Sequence, residues 1–220
     1  MLSAEAEAIL HEMYTEPKLR GADGLVEIDR ITRIDKTAGA ELNRLVRESG
    51  ARKSLEIGLA YGFSTIWIMD ALPPEGSHVA LDPCQASWWH GVGETQARRL
   101  PGKQFRWLEE YSIHALSDWI RAGEKFDFIF IDGAHRFDDV LVDFYLCDQV
   151  LEVGGLMVFD DVWMASIRTV LAFVLANRAY QVVPQRSNRM AALRKLKDDD
   201  RDWRHFRPFA VTTRQQGGLG

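Results

Sequence analysis

The sequence predicts an α/β fold: a three-layer sandwich in which helices cover both faces of a seven-stranded, mostly parallel sheet with an antiparallel edge hairpin. Three observations carry this expectation. Strand-like and helix-like patterns alternate from residue 53 onward, with short links between them, which implies βαβ units and right-handed crossovers. The run Phe126-Asp127-Phe128-Ile129-Phe130-Ile131 is a nearly continuous β-former, as in a parallel strand covered on both faces. A glycine-containing turn at residues 56–64 joins the end of a strand to the start of a helix.

Taken in order, residues 4–14 read as a short helix and residues 36–49 as a stronger one. In the latter, Ala40, Leu42, Leu45 and Val46 fall near helical spacing and Gly50 stands as a stop. Between them, residues 17–34 are irregular and polar, and in an enzyme such a segment is expected to close over the site as a lid. Strands are expected at 54–58, 78–82, 104–109, 126–132 and 155–159, with helices at 64–72, 88–100, 113–122, 138–151 and 165–177. Two weaker strands, 180–184 and 190–194, follow without clean alternation and would form the edge hairpin. The arrangement is Rossmann-like, with an N-terminal helix and lid over 1–35, the main domain over 36–214 and a flexible tail at 215–220.

Bulk properties exclude some functions. The 220 residues are 46% hydrophobic and 27% charged, enough for one domain with a real core. A net charge of −5 and a pI near 5.7 give no electrostatic footprint for nucleic acid or an anionic membrane, although 27 Lys and Arg leave room for a local basic groove. Cys84 and Cys147 have neither disulfide-framework nor metal-site spacing and read as reduced thiols. The first ten residues lack a basic and then apolar leader pattern, and no apolar run reaches spanning length, so a cytoplasmic location is expected.

The turn Leu55-Glu56-Ile57-Gly58-Leu59-Ala60-Tyr61-Gly62-Phe63-Ser64 carries the chemistry. Gly58 allows close approach of the backbone, and Gly62 lets the chain enter the helix without a Cβ clash. The N–H groups at the helix start suit a carboxylate, while Glu56 suits an ammonium, so an amino-acid head group matches better than a pyrophosphate. The dinucleotide fingerprint G-x-G-x-x-G is absent, which counts against an oxidoreductase using a nicotinamide cofactor. Asp82, twenty residues beyond Gly62 at the end of the next strand, stands where a carboxylate accepts a ribose diol. The bland alternative is a tight turn with a solvated Asp82.

Together with Leu81-Asp82-Pro83, Ile131-Asp132-Gly133-Ala134-His135 and Gly154-Gly155-Leu156-Met157-Val158-Phe159-Asp160-Asp161, this turn resembles the class I S-adenosylmethionine-dependent methyltransferases. More narrowly it resembles the small-molecule O-methyltransferases of the catechol and macrolide-sugar type, over roughly residues 36–195. The resemblance implies that Glu56, Gly58, Tyr61, Gly62 and Ser64 hold the methionine part of the cofactor and Asp82 its ribose. Tyr111 and Ser112 would border the adenine, and Asp132 would adjoin the cofactor.

Asp132 ends one strand and Asp160-Asp161 another. If these strands are neighbours, three carboxylates meet and their repulsion needs raised pKa values or a cation. An oxygen-only set favours Mg²⁺ or another hard divalent ion, and catechol-type relatives use this arrangement with an amide where Asp161 stands. The alternative is that Asp161, or Ser166, caps the following helix and Asp132 only tethers the cofactor. By the same resemblance His135 is the general base, a neutral imidazole taking a hydroxyl proton near neutral pH. His11, His78, His90, His114 and His205 lack such a setting and read as structural or solvated. Trp163 is expected to wall the acceptor pocket, and Trp88 and Trp89 to anchor a helix start. Residues 195–200 read as a solvated turn, and 203–209 as an interface or tail-docking element. The expected partner is a hydroxylated small molecule, self-association stays open, and a non-catalytic cofactor-binding protein is the remaining rival.

Overall fold

The computed structural model describes residues 2–211; the tail expected at 215–220 lies outside them. Its elements are α1 (Ala4–Thr15), β1 (Lys18–Arg20), β2 (Leu25–Glu27), α2 (Lys36–Ser49), β3 (Lys53–Ile57), α3 (Phe63–Ala71), β4 (Ser77–Leu81) and α4 (Val92–Ala97). There follow β5 (Gln104–Leu108), α5 (Ser112–Ala122), β6 (Phe126–Ile131), α6 (Phe137–Val150), β7 (Leu151–Phe159), α7 (Ala165–Asn177), β8 (Tyr180–Val183) and β9 (Ala191–Lys195). Seven strands form one sheet in the order β5-β4-β3-β6-β7-β9-β8. Pairing is parallel from β5 through β7, and β9 runs antiparallel between β7 and β8. The predicted sheet and its closing hairpin are therefore present.

Side-chain alternation along β6 explains the three layers. Phe128 and Phe130 join the core shared with α1, α2 and α3, while Ile129 and Ile131 join the core shared with α5, α6 and α7. Both sets are buried, because a parallel strand with helices on each face has no solvent side. Every residue of α3 is buried as well. It packs against α2 through Gly39, where an added Cβ would stand 2.2 Å from the Trp67 indole nitrogen. That nitrogen donates to the Tyr14 hydroxyl of α1 at 3.3 Å, and Met13 is fully buried in the same core. The N-terminal helix is thus part of the main hydrophobic layer.

Four details differ from the sequence reading. The helix expected at 88–100 shrinks to Val92–Ala97, because Gly91 takes a left-handed backbone (φ 68°) and residues before it form turns. β7 starts earlier, at Leu151, with a register shift opposite Phe126/Phe128. The segment 17–34 contains the antiparallel pair β1–β2 and is tied down: Ala22 N–H donates to the His90 carbonyl, and Gln96 donates to the Arg20 carbonyl. Lys195 is not in a solvated turn. Its buried ammonium donates to the carbonyls of Asp148 (2.6 Å) and Leu151 (2.9 Å) and pairs with Asp198 (2.7 Å). The stretch 203–209 docks on α7, where Asn177 exchanges hydrogen bonds with the Arg207 backbone and Phe209 meets Phe173 edge-on. No described helix is long and apolar enough to cross a membrane.

The tight seam between α2 and α3 gives a test of this packing. Gly39→Ala forces its methyl into the Trp67 ring and should cost about 1–3 kcal/mol in urea unfolding. An unchanged midpoint would show that the two helices are not in this close contact.

Candidate active site

The site sits where the chain reverses direction across the sheet, since β3 continues to β4 and β5 on one side and to β6 on the other. Ligands of open α/β sheets bind at such a switch point, outside the carboxyl ends of the strands. Four residues extend the strand ladders by one step there. Asp82 N–H donates to Leu108, Gly58 to Leu81, Asp132 to Ile57 and Asp160 to Ile131. The polar residues expected from the sequence are thereby set in one row by backbone register alone.

Gly58 is required by two facts: its φ of +94° and an added Cβ that would lie 2.2 Å from the Asp132 carbonyl oxygen. Gly62 (φ +82°) caps α3 without a side chain, and its added Cβ would meet the Gly93 carbonyl at 2.9 Å. Behind this turn Glu56 is fully buried and its carboxylate faces inward. It accepts hydrogen bonds from the Ser64 and Thr65 hydroxyls of α3, and His78 Nε2 lies 3.0 Å away. His78 Nδ1 in turn contacts the Ser54 hydroxyl at 2.8 Å. Glu56 thus fixes the first turn of α3 through Ser64, and His78, read from the sequence as structural or solvated, is its buried partner.

Asp82 is held just as firmly. Its Oδ2 accepts from the N–H groups of Leu59 (3.1 Å) and Ala60 (2.8 Å) and from Gln85 (3.3 Å), while Oδ1 accepts from Cys84 N–H (2.8 Å). Ala60 adopts a left-handed φ of 44° in this turn. Tyr61 is buried against Trp89, and its hydroxyl accepts the Asp29 N–H at 3.3 Å, so it ties the β1–β2 segment to the turn. Of the adenine candidates, Tyr111 is exposed and meets His114 edge-on, whereas the Ser112 hydroxyl donates to Asp143 at 2.5 Å. Burial raises the Asp143 carboxyl to about 6 despite that bond.

One strand over, the acids divide into two groups. Asp160, whose side chain is fully buried, is gripped by Arg189: Nε donates to both carboxylate oxygens at 2.8–2.9 Å and Nη2 lies 2.8 Å from Oδ2. Asp161 faces Arg189 Nη2 at 3.0 Å and His135 Nε2 at 3.0 Å, and accepts from the Trp163 indole at 2.9 Å. His135 Nε2 also lies 3.6 Å from Asp132. Among the described residues, the one set of potential metal donors is Asp132, His135 and Asp161, with ligand atoms within 4.8 Å of one another. The expected set Asp132, Asp160 and Asp161 is not what converges, because the Arg189 fork has claimed Asp160. Neither Asp161 nor Ser166 caps α7; its N-cap is Met164, with no side-chain bond.

The electrostatics follow from these contacts. The carboxylates of Asp132 and Asp161 facing its Nε2 raise His135 to about 10 against the effect of burial. That direction favours the protonated ring, where the sequence reading expects a neutral imidazole. Burial, with the charge of Asp161, pushes Asp132 upward. Burial and the charge of Asp132 raise Asp160 to about 7, opposed by Arg189. Asp161 is lowered although burial opposes it, because His135, Trp163 and Arg189 all favour its charged form.

The chain has the Rossmann-like fold seen in S-adenosylmethionine-dependent methyltransferases. Residues 55–162 match the family described as a methyltransferase domain. The chain is similar to caffeoyl-CoA O-methyltransferase 1 of Zea mays, 31% identical over 135 residues that make up 59% of this chain and 50% of that protein. It spans about half the length of the curated relatives it matches. In fold it is similar to an O-methyltransferase from Bacillus cereus solved in complex with SAH (TM-score 0.63, 21% identity, 88% of this chain and 91% of that one). The O-methyltransferase TomG from Streptomyces achromogenes, solved in complex with SAM, compares similarly (TM-score 0.62, 18% identity, 90% and 92%).

The charge state of His135 is directly measurable. In NMR the ring should stay protonated through neutral pH and titrate near 10. A midpoint near 6.5 would mean that the two carboxylates do not hold its proton.

Proposed function

We propose that this chain transfers the methyl group of S-adenosylmethionine to a hydroxyl of a small molecule. The observation that carries this reading is the row Asp82, Gly58, Asp132, Asp160 at the carboxyl edge, with the His135–Asp161 pair beside it. The solved structures of similar fold that contain SAM or SAH support it.

The residues present fit the cofactor. Gly58 and Gly62 hold the turn in its left-handed conformations, and the first turn of α3 offers its N–H dipoles to a carboxylate. Asp82 Oδ1 accepts the Cys84 N–H and keeps capacity for a ribose hydroxyl. Glu56 acts behind the turn by orienting Ser64. When bound, the cofactor supplies an electrophilic methyl on a sulfonium. Its carbon–sulfur bond breaks as the oxygen–carbon bond forms, leaving a neutral thioether, and the hydroxyl proton must leave to the protein.

His135 is the residue placed to manage that proton. It stands between two carboxylates, and the exposed Trp163 indole beside Asp161 offers a flat wall for the acceptor. With His135 protonated, one proton must leave the enzyme–acceptor pair before transfer. That holds whether the pair is written as neutral imidazole with hydroxyl or as imidazolium with oxyanion. The rate should therefore rise with pH until His135 titrates, near 10.

The divalent ion implied by the family resemblance does not fit these residues. Asp160 and Asp161 are both engaged by a guanidinium, and His135 brings a second positive charge. No step is assigned to such an ion, and positioning of donor and acceptor supplies the acceleration.

Calorimetry should show S-adenosylmethionine binding, and a panel of hydroxylated acceptors should reveal labelled methyl transfer. His135→Gln should lower kcat by about 10²–10⁴ while leaving cofactor affinity intact. Absence of cofactor binding by the folded chain would refute the reading.

A further inference from the structure

We propose that Arg189 is the resident counter-cation of the carboxylates at the sheet edge and that it keeps a divalent ion out of them. The methyltransferase reading supplies only the task of the site; the inference itself stands on the geometry of Arg189, which lies in the β8–β9 connection.

Its fork is aimed by the backbone. The Arg189 carbonyl accepts the Val162 N–H at 2.9 Å, and its own N–H donates to the Ser187 hydroxyl at 3.2 Å. The loop is anchored to α2 on its other side: Arg186 N–H donates to Glu41 at 2.7 Å, and Arg44 donates to the Pro184 carbonyl at 3.3 Å. Arg189 is therefore held in place by main-chain bonds next to the acids it neutralises. A planar guanidinium matches a carboxylate with several parallel donors, and here it spans two carboxylates at once. The Asp160 side chain has no solvent exposure, so water does not compete for its oxygens.

A divalent ion bound by Asp160 and Asp161 would have to strip both from Arg189. The displaced guanidinium would then face a doubly charged neighbour from a loop pinned at both its backbone groups. Asp132, and Asp161 through its other oxygen, also face His135. Asp160 and Asp161 thus already share a cationic side chain, which lowers the electrostatic need for a metal.

The test is Mn²⁺ binding to the full chain, read by equilibrium dialysis and electron paramagnetic resonance, with and without saturating S-adenosylhomocysteine. Wild type should bind no Mn²⁺ at millimolar concentration, and its melting temperature should not respond to the ion. Arg189→Gln should take up one Mn²⁺ per chain and melt higher with the ion than without it. Stoichiometric Mn²⁺ on wild type, lost in Asp161→Asn, would overturn the proposal. So would failure of both wild type and Arg189→Gln to bind, because Arg189 would not then be what excludes the ion. If Arg189→Gln does not fold, Arg189→Lys keeps the charge and loses the fork; it should show weak uptake, and no uptake counts against the proposal. Calorimetry with S-adenosylhomocysteine on the same samples separates the two readings: loss of that binding strikes the methyltransferase assignment and leaves the Mn²⁺ result standing.

Discussion

Three aspartates project from the ends of two adjacent parallel strands, and the surrounding structure is arranged to let them stay there. Backbone register sets Asp132 and Asp160 side by side, because their N–H groups continue the β3–β6 and β6–β7 ladders. Burial then makes their charge expensive. Arg189 answers this for Asp160, while His135 answers it for Asp132 and Asp161. The raised His135 and the raised Asp160 are two consequences of the same crowding. Such a balance is sensitive to any molecule that brings or removes a proton, which is the demand that methyl transfer to a hydroxyl makes.

The cofactor side of the edge is built on a different economy, that of space. Gly58 lies so close to Asp132 that a methyl group cannot be added, and Gly93 presses equally hard on the Ala60 carbonyl. The turn between β3 and α3 is thereby locked from both sides. Buried carboxylates finish the job from behind: Glu56 ties α3 to β3, and Asp82 gathers the amides of Leu59, Ala60 and Cys84. Both acids serve first as internal scaffolding. The scaffold keeps a short loop in one shape, as the proposed methyl transfer would require of a loop that positions a sulfonium.

Much of this was legible in the sequence. The both-faces-apolar run at 126–131 announced a covered parallel strand, and the spacing of Gly58 and Gly62 announced a tight strand-to-helix turn. The weak strands 180–184 and 190–194 also emerged as the edge hairpin. What escaped detection depends on contacts between distant residues. Arg189 is 29 positions from Asp160 and sits in a loop without any motif. His78 looked ordinary because its partners, Ser54 and Glu56, lie on the neighbouring strand. Lys195 looked solvated because it opens a charged run, yet carbonyls at the α6–β7 junction bury it. The shortened helix at 88–100 failed for a local reason, a left-handed Gly91 in a loop pressed on the cofactor turn. The charge of His135 could not be judged either, since it depends on two acids meeting from different strands.

The most direct measurement is a crystal structure of the chain grown with S-adenosylhomocysteine and soaked in Mn²⁺, with data collected at the manganese absorption edge. The thioether should lie against the Gly58–Gly62 turn, Arg189 should rest on Asp160 and Asp161, and no anomalous peak should appear among the carboxylates. An anomalous peak ligated by Asp132, Asp160 and Asp161, with Arg189 swung away, would contradict it.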